Sequence, residues 1–554
     1  MDNNGIAGYL TLLSKLTDIH GENSFKAKTY SAAAFAIEKL SFQLSEMPLE
    51  KISGIKGIGA STAQKVIELL QTGKITALEE KIFSTPPGVM EMLKIKGIGP
   101  KKIHNIWKEM GVESIGELLY ACKENRLKNY KGFGEKTQQN VIDFIEFYLK
   151  NKDSHLYATV EPLIEPLQDF LLKIFPANKL LLTGKFKRQL PVIEEIEFVI
   201  DAPIATIEQS LAPNEKFNLL NIGDGFLLYN TAAGVNLKIY TAETGTLMDT
   251  YLKTSSSEAF YNTIKGKTTE AGTEEKIFEH TGLPFVPSFL RENPGILTEK
   301  GIDITQVIQP GDIKGIIHCH SNWSDGSHTI EQMAIAARDL GLEYLVISDH
   351  SKSAFYAQGL FEEKVFEQHK YVEELNGQLK PFKIFKSIES DILNNGNLDY
   401  DEKVLASFDL VIASIHSNLK MPEEKAMMRL LKAIKNPFTT ILGHLTGRLL
   451  LSREGYPVNH SAIIDACVEN NVAIELNANP YRLDIDWQKI EEALKKGAII
   501  SINPDSHETG TLTDTKYGVL VAQKAGLTRA KNLSSFSLLE FEAYIQNRKK
   551  QKAI

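Results

Sequence analysis

The 554-residue sequence predicts a multidomain protein: an all-α amino-terminal region, an α+β middle, and a carboxy-terminal distorted (β/α)7 barrel of parallel strands, one unit short of the usual eight. Three observations predict it. A glycine-containing segment recurs three times between helical patterns in the first 150 residues. Strand-like and helical runs mix over residues 155 to 300, and from about residue 313 seven apolar runs alternate with amphipathic helical segments. Length alone implies three or four domains. Hydrophobic content of 43% and charged content of 24% are those of an ordinary globular chain. No run of 18 apolar residues occurs, and MDNNGIAGYL carries neither a basic stretch nor an apolar signal core, so a cytoplasmic protein without a membrane partner is expected. Cys122, Cys319 and Cys467 stand at no zinc or redox spacing and read as reduced structural thiols.

The amino-terminal repeats are Ile55-Lys-Gly-Ile-Gly59, Ile95-Lys-Gly-Ile-Gly99 and Tyr130-Lys-Gly-Phe-Gly134, followed by STAQKVIELL, PKKIHNIWKEM and EKTQQNVIDFI. Glycine at both positions permits a tight left-handed turn and leaves amides uncovered at the start of the next helix, which suits a phosphate. The segments resemble helix-hairpin-helix motifs, which grip nucleic-acid backbones without reading sequence. Gly57, Gly59, Gly97, Gly99, Gly132 and Gly134, with Lys101, Lys102 and Lys136, are the candidate DNA contacts. The competing assignment is a set of short turns in a helical bundle. Residues 1–150 hold 20 Lys and Arg against 17 Asp and Glu, whereas the whole chain has a net charge of −8.

In the middle region the runs KLLLTG, IEEIEFVI, GFLLYN and VNLKIY read as strands, and Pro287, Pro294 and Pro310 mark a connection over residues 286 to 312. The barrel runs are IKGIIHCH, EYLVISDH, FKIFKSIES, FDLVIASIH, FTTILGHL, VAIELNAN and AIISINPDSH. Six of the seven end in metal-competent side chains: His318 and His320, His350, Glu389, His416, His444, then Asp505 and His507, with Asp325 on the first loop. A parallel barrel builds its active site from the loops at the carboxyl ends of its strands, so these nine groups should converge on one mouth. One His-x-His pair arises by chance about 0.3 times in such a chain and is weak by itself, but nine ligand types at matching strand ends are not. Imidazole mixed with carboxylate and no thiolate suits manganese, zinc or iron. Nine ligands suit two or three ions that share a bridging carboxylate, and closely spaced ions suit phosphoester hydrolysis.

HCHSNWSDG, ISDHS, IESDI, ASIH, LGHLTGRLL and NPDSH resemble the motifs of the polymerase-and-histidinol-phosphatase (PHP) superfamily. The resemblance implies one metal held by His318, His320, Glu389 and Asp505, a second by Glu389, His416 and His444, and a third by Asp325, His350 and His507. With ENSFKAKTYSAAAFAIEKL, TGLPFVPSFLREN and LNANPYRLDIDW, the whole chain resembles bacterial family X DNA polymerases that carry this barrel at the carboxyl end. It implies a lyase-type helical domain over residues 1–82, a helix-hairpin-helix fingers-like domain over 83–152, a nucleotidyltransferase-like palm and thumb over 153–300, a linker over 301–312 and the PHP domain over 313–554.

The palm departs from that family where its chemistry should lie. The family's Gly-Ser becomes Gly184-Lys185, followed by Arg188, its Asp-x-Asp becomes Glu195-Ile-Glu197, and its third aspartate becomes Asn236. Each Glu moves its carboxylate out by about 1.5 Å, where catalytic geometry tolerates about 0.5 Å. The changes argue against a magnesium site there and for a DNA-positioning scaffold with weak or lost polymerase activity. Lys65 matches a sugar-attacking lyase lysine of related polymerases, but Ser61 and Ala77 replace the supporting basic residues, and a solvated helix lysine is the competing assignment. The expected function is that of a DNA-repair nuclease acting on gapped, nicked or 3′-ended DNA as a monomer. The alternatives are a gap-filling polymerase with an editing barrel and a small-molecule phosphatase like the histidinol-phosphatase relatives.

Overall fold

The computed structural model describes all residues except Ser41, Lys96, Glu124, Asn125, Lys131, Thr244, 267–272 and 298–302. Lys96 and Lys131 of the second and third repeats, part of the expected linker and the end of the expected palm therefore lie outside the described residues. The chain forms two compact units, 1–152 and 153–554. Among the described residues, no helix is long and apolar enough to cross a membrane.

The first unit is helical around one core that runs from Ile6 to Ile145. α1 (Asn3–Ile19), capped by Asp2, packs on α2 (Ser24–Glu38), capped by Asn23. Each glycine repeat leads into a helix: α3 (Ala60–Thr72), α4 (Pro100–His104) and α5 (Glu135–Asn151). The first glycine of each repeat is left-handed, with φ of 94° at Gly57, 93° at Gly97 and 90° at Gly132. The second glycine is the extended N-cap of its helix and has no side chain to cap it, so the first-turn amides stay open, apart from Pro100, which has no N–H. The apolar residue between them, Ile58, Ile98 or Phe133, is buried and pins the turn to the core.

The second unit begins with a five-stranded sheet in the order β1 (Leu180–Thr183), β2 (Glu195–Ile200), β5 (Asn236–Thr241), β4 (Phe226–Thr231), β3 (Phe217–Gly223). Only β2 and β5 pair in parallel, with Glu195 opposite Asn236 and Glu197 opposite Lys238. β3 is absent from the strand-like runs of the sequence, because at the sheet edge it exposes Leu219, Leu220 and Ile222 and lacks the inside-outside alternation that marks a half-buried strand.

Seven parallel strands follow in sequential order: β6 (Gly315–Cys319), β7 (Tyr344–Ile347), β8 (Lys383–Asp391), β9 (Leu410–Ser414), β10 (Thr439–Leu442), β11 (Ala473–Asn477) and β12 (Ile500–Asn503). They are buried along nearly their whole length, as strands covered on both faces must be. A parallel bridge from Cys319 to Ser506 nearly closes the barrel between its first and last strands. Capping boxes at Thr329–Gln332 and Ser537–Glu540, and N-caps at Asp401, Asn459 and Asp486, start the outer helices.

Sheet and barrel meet through polar contacts between distant residues. Glu161 accepts from Lys516 Nζ and Tyr517 Oη, both at 2.8 Å. Lys524 donates to the Arg188 carbonyl at 2.7 Å and pairs with Glu292 at 3.2 Å, and Arg188 Nη1 pairs with the same carboxylate at 3.2 Å.

Candidate metal centre

All nine sequence-predicted ligand residues lie at the carboxyl ends of the barrel strands. Glu389, near the end of β8, is at the centre. Its Oε1 lies 2.9 Å from His444 Nε2, 3.1 Å from His416 Nε2 and 3.3 Å from His318 Nε2. Its Oε2 lies 3.0 Å from His350 Nδ1 and 3.7 Å from His320 Nε2. Asp505 Oδ1 faces His320 and His318 at 3.1 and 3.5 Å. Asp325 completes the ring, 3.4 Å from His507 Nε2, 3.6 Å from His350 Nε2 and 3.9 Å from His320 Nδ1.

Three sets of donor atoms come within 4.8 Å of one another: His318, His320 and Asp505; His350, Glu389 and His416; and His320, Asp325, His350 and His507. Adjacent sets share His320 and His350, so the grouping overlaps more than the partition implied by family resemblance. His444 joins through Glu389.

The backbone is distorted to build this site. A bulge interrupts the β6–β7 ladder between Ile316 and Cys319, and His318 there has φ 65°. Asp505 has φ 53°. Left-handed backbone at a non-glycine residue costs about 1–3 kcal/mol and persists where the surroundings enforce it, typically at functional sites.

Further carboxylates orient the imidazoles. Glu475, buried on β11, accepts from His318 Nδ1 at 2.6 Å, from Asn503 Nδ2 at 2.8 Å and from the His444 amide at 2.6 Å. Asp391 takes His416 Nδ1 at 2.5 Å. Each far-side bond puts a proton on Nδ1 and turns Nε2, the nitrogen that would ligate, toward the centre. Asp349, whose carboxyl burial pushes up, accepts from the amide and hydroxyl of Ser321, from Ser324 Oγ and from Gln368.

The electrostatics agree with a cation-binding role. Burial raises the Glu389 carboxyl, but the positive charge of His416, His318 and His350 overcomes it and holds the group well below the usual carboxylate range. Burial, with His350 and His507 beside it, pushes His320 down to about 3 and keeps it neutral, the form that ligates. His318 Nε2, His320 Nδ1, His350 Nδ1 and His444 Nδ1 are buried without a hydrogen-bond partner. Three of these four lie within 4 Å of a carboxylate oxygen, a mixed imidazole and carboxylate cluster that fits divalent metal.

Five of the six candidate palm residues, Gly184, Lys185, Arg188, Glu195 and Glu197, line one cavity with Glu194, Lys238 and Thr254, and Asn236 is not among its lining residues. Their charges are spent on one another. Lys185 pairs with Glu194 at 2.5 Å and Lys238 with Glu195 at 3.3 Å. Glu197 accepts from the Lys185 amide at 2.9 Å and from Tyr240 Oη at 3.0 Å, and burial raises its carboxyl. Asn236 bonds Asn230 at 3.2 Å. Gly184 is left-handed at φ 72°, and a Cβ there would lie 1.7 Å from a Glu197 oxygen. In the helical unit the hairpin glycines and Lys101 and Lys136 are exposed, Lys102 lies over the Phe133 ring at 5.5 Å, and Lys65 is half-buried on α3.

Sequence reasoning missed Glu475, Asp391 and Asp349. Glu475 had a visible signal, since it sits near the end of VAIELNAN, the one run of seven that supplies no ligand.

Residues 1–75 match the helix-hairpin-helix domain family, 89–146 the SAM-like helix-hairpin-helix tandem and 317–479 the PHP domain. The chain is 32% identical to the DNA polymerase/3′-5′ exonuclease PolX of Bacillus subtilis (strain 168), over 99% of this chain and all of that protein. A probable phosphatase of Thermoanaerobacter sp. (strain X514) is 24% identical over 43% of this chain and 98% of its own length. One from Clostridium acetobutylicum is 34% identical over 23% of this chain and 54% of its own length.

Proposed function

The chain belongs to the bacterial family X DNA polymerases that end in a PHP domain, and from that premise we propose a DNA-repair enzyme whose barrel hydrolyses DNA phosphodiester bonds at 3′ ends or abasic sites. One observation carries the reading: a buried carboxylate, Glu389, has five imidazoles around its two oxygens.

Two or three manganese, zinc or iron ions fit the nine ligands His318, His320, Asp325, His350, Glu389, His416, His444, Asp505 and His507. When bound, closely spaced divalent ions activate water and offset the charge of a phosphoryl group under in-line attack. The chain's part is to hold the donors rigidly, through Glu475 and Asp391 behind His318 and His416, and to leave one side open. Asp325 and His507 are 33% and 39% exposed where the other seven ligands are at most 11%, so the phosphate enters on their side.

The open amides after Gly59, Gly99 and Gly134, with Lys101, Lys102 and Lys136, serve DNA backbone binding, and gapped, nicked or 3′-ended DNA is the substrate of a cytoplasmic, monomeric protein. Lys65 is a solvated helix lysine in this account. The four domains and the linker expected from the sequence are kept as its functional division. The palm serves as a scaffold, because the Lys185–Glu194 and Lys238–Glu195 pairs and the Tyr240 bond to Glu197 occupy the groups that would bind magnesium and a triphosphate. The phosphatase alternative draws on relatives whose likeness spans less than half of this chain.

The test is nucleotide release from single-stranded DNA with manganese by wild type and His318→Ala, beside histidinol phosphate turnover and primer extension on a gapped duplex. Release lost in the variant, with neither other activity, is the expected outcome. Turnover of histidinol phosphate without DNA degradation contradicts it, and extension abolished by Glu197→Ala overturns the scaffold role of the palm.

A further inference from the structure

Beside the metal centre lies a surface whose composition has no structural explanation. The loop from His350 to Leu360 is tightly fixed. The Leu360 amide donates to the His350 carbonyl at 2.8 Å, and Ser353 bonds Asp399 through its amide and hydroxyl, both at 2.6 Å. Ala354 and Ala357 are buried, and a Cβ on Gly359 would lie 1.9 Å from the Ser351 carbonyl oxygen. Yet this anchored loop turns two adjacent aromatic rings outward, with Phe355 85% and Tyr356 63% exposed. Their ring centroids are 6.1 Å apart, and Tyr356 lies 6.4 Å from the ring of His350. Large exposed apolar rings on a rigid loop mark a contact surface, since folding gains nothing from them.

A cation stands on the same side. Arg482, on the loop after β11, holds Nε 3.7 Å from Asp505 Oδ2. Asp505 in turn lies 3.1 Å from His320, whose ring is 4.4 Å from that of His350, the imidazole beside Tyr356. The neighbouring Arg448 is committed to Asp486 at 2.6 Å and to backbone carbonyls, and Arg453 to the Gly447 carbonyl. One arginine is thus left beside the metal ligands with only a long carboxylate contact.

We propose that Phe355 and Tyr356 form a stacking platform for the unpaired terminal base of a DNA strand, with Arg482 taking the phosphate behind it. Flat exposed rings beside a cation fit a nucleotide, whose base offers a π-face and whose phosphate needs positive charge. An apolar protein partner would gain nothing from the neighbouring charge. The inference rests on the nuclease reading of the same mouth and names its substrate as a single-stranded or frayed end. A base inside a duplex is stacked on both faces and cannot occupy the platform.

The test uses the full chain with manganese and two dinucleotides joined by a hydrolysis-resistant phosphorothioate, one ending in 2-aminopurine and one in an abasic analogue. A dinucleotide is short enough to report the mouth alone. Wild type should quench 2-aminopurine emission. Tyr356→Ala with Phe355→Ala should abolish the quench and weaken that ligand about tenfold, as expected for one lost base-aromatic stack, while leaving the abasic ligand unchanged. Tyr356→Phe should keep the quench, because the ring carries the stack, and a native thermal transition checks that the variants fold. The proposal is overturned if wild type does not quench, or if the double variant loses neither ligand or both alike. Cleavage of unmodified DNA by wild type separates the two readings. Cleavage without quench removes the platform, and quench without cleavage removes the nuclease.

Discussion

The geometry of the metal centre is set by single side chains that never touch a metal. Glu475 accepts the Nδ1 proton of His318 and the amide of His444, and so fixes two ligand residues at once. Glu475→Gln removes the charge and permits the wrong His318 tautomer. Metal affinity should fall about 10- to 100-fold, read by competition with a chelator, with the melting temperature of the metal-free protein little changed. An unchanged affinity would reduce Glu475 to a packing residue. The clustering of the nine candidate ligands was legible because nearly all are polar groups ending apolar strand runs, and the barrel topology dictates where such ends meet. Glu475 was legible only as the polar group near the end of the one run without a ligand, because its role depends on the far nitrogen of a histidine 157 residues away. Arg188 was legible only as part of a degenerate polymerase site, and its guanidinium is paired with Glu292.

At the scale of elements, the hairpins show how a local pattern becomes a binding surface. Gly57 needs its left-handed turn, and an added Cβ would meet Ala36 Cβ at 2.9 Å. Gly57→Ala should destabilise the helical unit by about 1–2 kcal/mol in urea melts and weaken DNA binding, with hydrolysis of a dinucleotide unaffected. The element order was readable from the sequence wherever periodicity was strong. The seven barrel runs are the seven strands, and four of the five palm strands match predicted runs. The fifth, β3, has its side chains largely in solvent, so burial left no pattern in it.

At the scale of the molecule, sheet and barrel are joined by charges from three distant stretches: Arg188, Glu292 and Lys524. No sequence pattern reports a pairing across more than 200 residues. Lys524 is fully buried, so Glu292→Ala would strand its charge and should cost about 3 kcal/mol or more. Burial pushes the Lys524 amine down to about 8, with Glu292 only partly opposing. From there to the ordinary lysine value the unfolded chain holds a proton that the folded chain has released, so this residue makes stability rise with pH over that interval. Lys524→Met should remove a gain of about 3 kcal/mol between pH 8 and pH 10.5, seen as a flatter dependence of the urea midpoint on pH. The same joint holds the barrel against a palm in which Glu195 is paired with Lys238 and Glu197 accepts from Tyr240. The most direct test is digestion of single-stranded DNA labelled at either end, with manganese, by wild type and Glu389→Gln. Mononucleotide release from the 3′ label, a descending ladder from the 5′ label and neither in the variant is the predicted result. Intact DNA with wild type, or equal digestion by the variant, would contradict the account.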